Sequence, residues 1–141
     1  MNTVTQTHIQ VRYAETDQMG IAHHSCYAVW FEQARTEMIR EAGIRYRDLE
    51  KMGLLLPLTG LDCRYKIPAL YEDDLIIETS VVKLTAARIS FGYRVLRDGT
   101  EFATGQTDHA FVGADFKPLN IKKHFPQVFE TLCGFLAEDS Q

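Results

Sequence analysis

A short loop near the start of the chain places a carboxylate, a glycine and two histidines just before a long apolar segment. The loop reads YAETDQMGIAHHSCY and contains Asp17, Gly20, His23 and His24. A carboxylate can attack a carbonyl carbon or act as a general base on water. Aspartate in a loop more often closes a turn, so these residues alone leave two interpretations open. The stretch is either a turn that starts a helix or the working part of an enzyme.

Two other kinds of chemistry are conceivable in the same loop. His23 and His24 could bind a metal ion, but adjacent side chains point in different directions and no third ligand lies at a familiar spacing. Cys26 could be a nucleophile, because the start of a helix favours a thiolate. A free cysteine most often behaves as a small buried hydrophobic residue. Both a metal site and a cysteine nucleophile are therefore disfavoured.

The size and composition of the chain predict one globular domain. The chain has 141 residues, of which 45% are hydrophobic and 24% charged, so we expect a single domain spanning residues 1–141. The net charge of -4 argues against a general affinity for nucleic acid, which normally shows as a surplus of basic residues.

The cysteines and the apolar segments bear on where the protein works. The three cysteines, Cys26, Cys63 and Cys133, lack the short spacings of a zinc site or a disulfide framework. The first residues lack the basic segment and apolar run of a signal peptide, and no stretch approaches the roughly 18 apolar residues of a membrane span. We therefore expect a cytoplasmic protein with free thiols and no membrane partner.

The residues around the loop predict a strand before it and a long helix after it. HIQVRY alternates in polarity, with Ile9, Val11 and Tyr13 on one face. Ser25 is the candidate N-cap, and the helical pattern runs from about Cys26 to Gly43. The apolar positions spread beyond one stripe, which predicts a helix buried on most sides. They are Tyr27, Ala28, Val29, Trp30, Phe31, Ala34, Met38, Ile39 and Ala42.

The remainder of the chain predicts a sheet closed by a final helix. YRDLEKMG is typical of a short helix that ends at Gly53. The extended segments that follow are LLLPLTGLDCRYKI, DDLIIETSVVKLT, ARISFGYRVLRDG and TEFATGQTDHAFVGA, with Asp98-Gly99 as a hairpin turn and FKPLNI as a candidate edge strand. Apolar residues at helical spacing follow Phe125, with Pro126 near the helix start. The order favours an α+β architecture, an antiparallel sheet around one helix.

The loop and the helix together carry a motif, V-R-Y-x-E-T-D-x-M-G-x-x-x-H-x-x-Y-x-x-W-F-E-x-A-R. It resembles the 4-hydroxybenzoyl-CoA thioesterase family, which are acyl-CoA thioesterases with the hot-dog fold. Weaker matches follow in Y-K-I-P-A-L-Y-E-D-D-L, S-F-x-Y-R-V and F-K-P, so the resemblance covers roughly Thr7 to Phe135. It implies an antiparallel sheet of five to six strands wrapped around the long central helix. It also implies at least a homodimer, commonly a homotetramer, with active sites at the subunit interface.

The resemblance assigns the catalytic roles to the loop. Asp17 matches the catalytic carboxylate, acting as a nucleophile or as a general base, and the sequence does not choose between these. The backbone N–H at His24 matches the donor that holds the oxyanion, where a helix start favours negative charge. Gly20 would let the loop approach the thioester closely. Cys26 stands where relatives often have Asn, so any hydrogen bond of that Asn is in doubt.

The same resemblance gives candidates for substrate binding. Tyr27 and Phe31 are expected mainly in the core, with a share in the acyl pocket. Arg88 and Lys117 are candidates for the CoA phosphates, which favour basic side chains. Ser90 lies in a matched strand beside Arg88 and completes the set.

The resemblance therefore implies an acyl-CoA thioesterase for small or medium acyl groups, aromatic or aliphatic. No metal or cofactor is expected, because coenzyme A is part of the substrate. The alternatives are a hot-dog hydratase or dehydratase, and a non-catalytic module that binds acyl-CoA or an acyl carrier. Asp17 favours hydrolysis, since a pure binding module has no need of a carboxylate at the thioester. The acyl preference and the choice between CoA and an acyl carrier protein stay open.

Overall fold

A five-stranded antiparallel sheet and a long helix organise the protein, whose computed structural model describes residues 4–136. The strands are β1 Val4–Gln10, β2 Leu58–Tyr65, β3 Asp74–Leu84, β4 Arg88–Arg97 and β5 Thr100–Ala110. The helices are α1 Ser25–Glu41, α2 Tyr46–Lys51, α3 Ile121–His124 and α4 Pro126–Cys133. The strand order is β1-β3-β4-β5-β2, with every neighbouring pair antiparallel. The predicted α+β class is confirmed.

The hairpin between β4 and β5 forms where the sequence predicts it. Asp98 and Gly99 both have positive φ angles, of 49° and 80°, and Arg97 pairs with Thr100 across the turn. Positive φ at both central positions gives the turn the same twist as the strands it joins, and glycine adopts it without steric cost. The turn therefore sets the register between β4 and β5.

Helix α1 packs one side against the sheet and leaves the other side open. The ring of Phe31 is fully buried and stacks on Tyr93 of β4, with the ring centroids 4.3 Å apart. The other buried residues of α1 lie on this side: Tyr27, Trp30, Ala34, Met38 and Ile39. Val29 is 58% exposed, so the prediction of burial on most sides is wrong. The described residues form one sheet, and it covers only one side of the helix.

Three local predictions are wrong in detail. Strand β1 ends at Gln10, and Tyr13 begins a 3-10 turn in which its side chain is 76% exposed. Ser25 is the first residue of α1 rather than its N-cap, a position that His24 holds with no side-chain cap. FKPLNI forms no strand and makes only an isolated bridge between Pro118 and Val112.

The final helix forms as predicted, with Pro126 at its first turn. Proline suits this position because its missing N–H has no helical partner there. Its Leu132 is buried against the core. Among residues 4–136, every helix is too short or too polar to cross a membrane.

Candidate active site

The loop before α1 is a tight turn. The N–H of Asp17 donates to the carbonyl of Ile21 at 2.9 Å, and the N–H of Gly20 donates to the carbonyl of Asp17 at 2.9 Å. Gly20 has φ +79°, a conformation that side chains of other residues rarely allow. Thr16 and Ala22 form an isolated antiparallel bridge that closes the base of the turn. The turn therefore projects Asp17 at a fixed position beside the start of α1.

Glu15 anchors this turn to α1. Glu15 is 7% exposed. Its carboxylate accepts hydrogen bonds from the N–H of Arg12 at 2.8 Å and from Nε1 of Trp30 at 2.9 Å. Burial works to raise the pKa of Glu15, but the hydrogen bonds from Arg12 and Trp30 outweigh it and hold the pKa below its usual value. The N–H of His23 donates to the Glu15 carbonyl at 2.8 Å, so Glu15 holds both ends of the loop.

Asp17 closes the turn and also lines a cavity. Its Oδ1 accepts the N–H of Met19 at 2.9 Å, which is the usual turn-forming bond of an aspartate. Among the hydrogen bonds of the described residues, none reaches Oδ2 of Asp17. The two interpretations that the sequence left open are therefore compatible: one oxygen serves the turn, and the other is available for chemistry.

The cavity holds about 290 Å³ and lies between the loop, the start of α1 and the segment that follows β2. A volume of this order suits a small ligand. Its lining residues are Asp17, Met19, Ile21, Ala22, His24, Tyr27, Tyr65, Lys66, Ile67 and Pro68.

The start of α1 offers one free backbone donor to this cavity. The side chain of His23 occupies the first helical donor, because its Nδ1 accepts the N–H of Ser25 at 3.2 Å, and the N–H of Cys26 donates to the His23 carbonyl at 3.0 Å. Within residues 4–136 the N–H of His24 has no protein acceptor. Unpaired N–H groups at a helix start are an anion-binding feature.

Tyr65 joins the site from strand β2. Its hydroxyl donates to the carbonyl of His24 at 3.3 Å, and its ring packs edge-on against Tyr27 at 4.9 Å between centroids. Burial and the neighbouring Cys63 raise the pKa of Tyr65 to about 12, so the hydroxyl stays protonated and can only act as a donor to this carbonyl. The sequence analysis missed Tyr65, since no local pattern connects it with a loop 41 residues earlier.

Asp17, His24 and Tyr27 line the cavity, and Gly20 lies in the turn with Asp17 but outside the cavity lining. The other candidates lie elsewhere. Phe31 lies in the core beneath Gly105, away from the cavity lining. Ser90 donates to Oδ1 of Asp108 at 2.6 Å on the sheet.

Arg88 and Lys117 are exposed and also lie outside the cavity lining. Arg88 opens β4 and pairs with Ala110, whereas Tyr65 lies opposite Ala103, whose β4 partner is Val95. Along β4, Arg88 and Val95 are seven residues apart, which corresponds to about 23 Å.

Cys26 does not have the properties of a nucleophile. Its Sγ donates to the Glu15 carbonyl at 3.6 Å, and burial together with the charge of Glu15 raises the pKa of the thiol. The expectation that the helix start favours a thiolate is therefore wrong here, because desolvation and a nearby carboxylate oppose it. All three cysteines are free, as predicted.

The two histidines also make local contacts instead of converging on a common point. Their rings lie 4.0 Å apart between centroids, and Nδ1 of His23 is 2.8 Å from Oγ of Ser25. In the described part of the chain, no group of three or more His, Cys, Asp or Glu side chains is placed to hold a metal ion.

Comparison with known structures identifies the fold of this architecture. A sheet wrapped against a long helix, with a carboxylate turn at the helix start, is the hot-dog fold. A crystal structure described as a DHNA-CoA thioesterase from Staphylococcus aureus superposes with a TM-score of 0.89 at 35% identity, covering 93% of this chain and 89% of that one. A gentisyl-coenzyme A thioesterase superposes with a TM-score of 0.77 at 22% identity, covering 81% of this chain and 93% of that one, which supports the fold alone.

Sequence comparison gives the family. The YneP protein of Bacillus subtilis is 37% identical over 125 residues, covering 87% of this chain and 91% of YneP. The acyl-CoA thioesterase YbgC of Haemophilus influenzae is 29% identical over 126 residues, covering 88% of this chain and 93% of its own. Residues 11–129 match the family described as the thioesterase-like superfamily. The chain belongs to this superfamily and is an enzyme of the thioester-hydrolase class.

Proposed function

We propose that the protein hydrolyses the thioester of a small or medium acyl-CoA to the free acid and CoA. One observation carries the proposal: Asp17, with a carboxylate, and His24, whose backbone N–H has no acceptor among the described residues, line the same cavity. These are the two groups that thioester hydrolysis requires, a carboxylate to attack or to activate water and a donor for the oxyanion.

The reaction begins with the thioester carbonyl oxygen directed at the N–H of His24. As the carbonyl carbon is attacked, its oxygen gains negative charge, and the helix start stabilises that charge. In the nucleophilic route, Asp17 forms a mixed anhydride, CoA leaves as the thiolate, and water then cleaves the anhydride. In the general-base route, Asp17 takes a proton from water as the water attacks, and that proton passes to the departing thiolate. Both routes consume one water and release one carboxylic acid.

The wall of the cavity supports an acyl group of limited size. Met19, Ile21, Tyr27, Ile67 and Pro68 give it an apolar surface. Apolar walls with a few polar groups are typical of small-molecule sites. The 35% identity to the structure described as a DHNA-CoA thioesterase supports an aromatic acyl group as the first class to test.

The outer strand β2 supports the proposal of a homodimer or a homotetramer. This edge of the sheet exposes Leu58, Leu61 and Tyr65, each about half accessible, and Val29 adds apolar surface on α1. Exposed apolar edge strands invite pairing with another chain. In such an assembly a partner copy would bring Arg88, Ser90 and Lys117 to the substrate, since they lie far from the cavity of their own chain. Light scattering of the purified protein tests this, with a monomer as the contrary result.

The proposed chemistry requires neither metal nor cofactor. Every role in it falls to a carboxylate, a backbone N–H or water. We therefore expect thiol release to be unchanged after extended dialysis against a chelator. Loss of activity that returns with a divalent metal would contradict this part of the proposal.

The test of the function is release of free CoA thiol from a panel of acyl-CoAs. The panel runs from benzoyl and naphthoyl thioesters to straight chains of increasing length, and a matching acyl carrier protein thioester is assayed beside it. Turnover of any CoA thioester supports the proposal, and the best acyl group defines the preference. Binding of acyl-CoA without thiol release would instead favour a binding module, and water addition to an enoyl-CoA would favour a hydratase.

A further inference from the structure

Three arginines surround a second cavity at the opposite end of α1. Arg40 lies in the last turn of α1, Arg45 immediately precedes α2, and Arg47 is the second residue of α2. They line a cavity of about 540 Å³ together with Thr36, Ile44 and Tyr46. Sixteen residues of helix separate His24 from Arg40, which is about 24 Å. This arginine cleft is therefore distinct from the cavity at Asp17.

The charges of the arginine cleft are not neutralised within the chain. In the described residues, no carboxylate oxygen lies within 4.0 Å of a guanidinium nitrogen of Arg40, Arg45 or Arg47. Most of the other arginines do pair in this way: Arg12, Arg35, Arg64, Arg94 and Arg97. The chain carries a net charge of -4, so a concave site with three unpaired cations has the opposite sign to the overall charge. A cleft lined by one sign of charge concentrates ligands of the other sign.

Ordinary surface chemistry explains only part of this arrangement. Arg40 suits the C-terminal end of α1, where a cation is favoured by the helix dipole. That effect does not explain why Arg45 and Arg47, from the next segment, line the same cavity. Ile44 and Tyr46 lie between them, pack partly against the hydrophobic core, and give the cleft an apolar and aromatic wall.

The chemistry of the cleft selects its ligand. The planar guanidinium group matches phosphate oxygens with two parallel hydrogen bonds. A concave site of this volume suits a small molecule, whereas protein partners use larger and flatter surfaces. An aromatic ring beside the cations can stack on a base. We propose that the arginine cleft binds a phosphorylated nucleotide. The nucleotide is either the end of a CoA thioester whose acyl group is held elsewhere in an assembly or a free nucleotide.

The binding test uses adenosine 3′,5′-bisphosphate as the probe and calorimetry as the measurement. Wild type is compared with a variant that combines Arg40→Gln, Arg45→Gln and Arg47→Gln. We expect saturable binding to wild type that weakens with added salt, and a loss of affinity of about tenfold or more in the variant. Arg64→Gln is the matched control, because Arg64 is an exposed arginine on β2, and it should bind as wild type does.

Three results would overturn the inference. They are no binding by wild type, equal binding by the triple variant, and inorganic pyrophosphate binding as tightly as the nucleotide. The three arginines are exposed, so the variant should keep its thermal midpoint, which circular dichroism checks. A second triple variant has lysine at the same positions, which keeps the charge and removes the bidentate hydrogen bonding of the guanidinium group. Its affinity should lie between those of wild type and the glutamine variant.

Kinetics distinguish the two sources of the nucleotide. A raised KM for acyl-CoA, with no change for an acyl-pantetheine thioester, identifies the nucleotide end of the substrate. Loss of probe binding with both KM values unchanged identifies a separate nucleotide. The binding measurement does not depend on hydrolysis, so the failure of thiol release and the failure of the arginine cleft are separate results.

Discussion

The indole Nε1 of Trp30 donates a 2.9 Å hydrogen bond to the buried carboxylate of Glu15. This bond connects the core face of α1 to the turn that carries Asp17, two residues further along the chain. The position of the Asp17 carboxylate therefore depends on a contact that lies outside the cavity. Support of this kind is what holds a reactive group to the geometry its chemistry requires.

Removing that contact should loosen the turn. Trp30→Phe keeps an aromatic ring but removes the N–H donor and part of the buried indole, and it leaves Oε2 of Glu15 with only the 3.4 Å contact from Nη2 of Arg12. We expect the free energy of unfolding to fall by about 2 kcal/mol or more, from the lost hydrogen bond to a charged group and from the lost packing. We also expect a lower kcat with little change in KM, because the turn positions Asp17. Urea denaturation and thiol release measure the two effects, and a variant as stable and active as wild type would contradict the anchoring role.

The ring of His109 should make the protein less stable in mild acid. The ring is 1% exposed, and burial, assisted by the charge of Arg35, lowers its pKa from 6.5 to about 4. The unfolded chain takes up a proton below about pH 6.5 and the folded protein only near pH 4, so stability falls as the pH drops through this window. Between pH 7 and pH 5 we expect a loss of about 2 kcal/mol from this residue.

Urea titrations at several pH values measure this dependence, and His109→Gln serves as the control. The hydrogen bonds of His109 fix its neutral form: Nδ1–H donates to the Leu56 carbonyl at 3.2 Å, and Nε2 accepts from the Thr107 hydroxyl at 2.9 Å. Glutamine does not titrate, so the variant should start less stable and show a flatter pH profile. Parallel profiles for wild type and variant would show that the pH dependence arises elsewhere.

Gly105 allows α1 to approach the sheet closely. A Cβ at this position would overlap the ring of Phe31 and lie 3.1 Å from the carbonyl oxygen of Asp62. The stacking of Phe31 on Tyr93 restricts how far the Phe31 ring can move away. Gly105→Ala should therefore destabilise the fold by about 1–3 kcal/mol, as overpacking does, which thermal denaturation measures. Adding Phe31→Leu should recover part of the loss, and strictly additive effects would contradict the direct clash.

His24 should contribute through its backbone. Its backbone N–H is present whatever the side chain, so His24→Ala should keep kcat within about threefold of wild type. Thiol release under saturating substrate is the measurement. A loss on the order of 100-fold would instead assign the imidazole to the chemistry.

Local sequence signals predicted the parts of the fold that depend on local geometry. The Asp98-Gly99 turn and the proline-led start of α4 follow from backbone preferences within a few residues, and both formed as expected. The predictions for Tyr13 and Val29 were wrong, because the burial of a residue depends on which other elements pack against it. The strand pattern of Tyr13 is broken by the 3-10 turn, and no helix or strand within residues 4–136 covers Val29.

The residues of the candidate site show the same difference between local signals, which the sequence reveals, and long-range contacts, which it does not. The motif identified Asp17 and His24, which are close in sequence and share one turn and one helix start. Glu15 carried a weak local signal, its spacing of three residues from Arg12, but its bond to Trp30 required the fold. Tyr65 gave no signal, because it reaches the site from a distant edge strand. The catalytic role of Asp17 and the phosphate ligands Arg88 and Lys117 remain predictions for the assembled enzyme.

The central claim is that Asp17 performs the chemistry, and Asp17→Asn tests it most directly. Asparagine keeps an oxygen to accept the Met19 N–H, so the turn should survive while the charge is lost. Asp115→Asn is the matched control, because Asp115 makes the same bond to the N–H of Lys117 in another turn. Thiol release should fall on the order of 100-fold or more in kcat for Asp17→Asn and stay unchanged for Asp115→Asn. If Asp17→Asn hydrolyses acyl-CoA as fast as wild type, Asp17 only closes a turn and the site assignment is wrong.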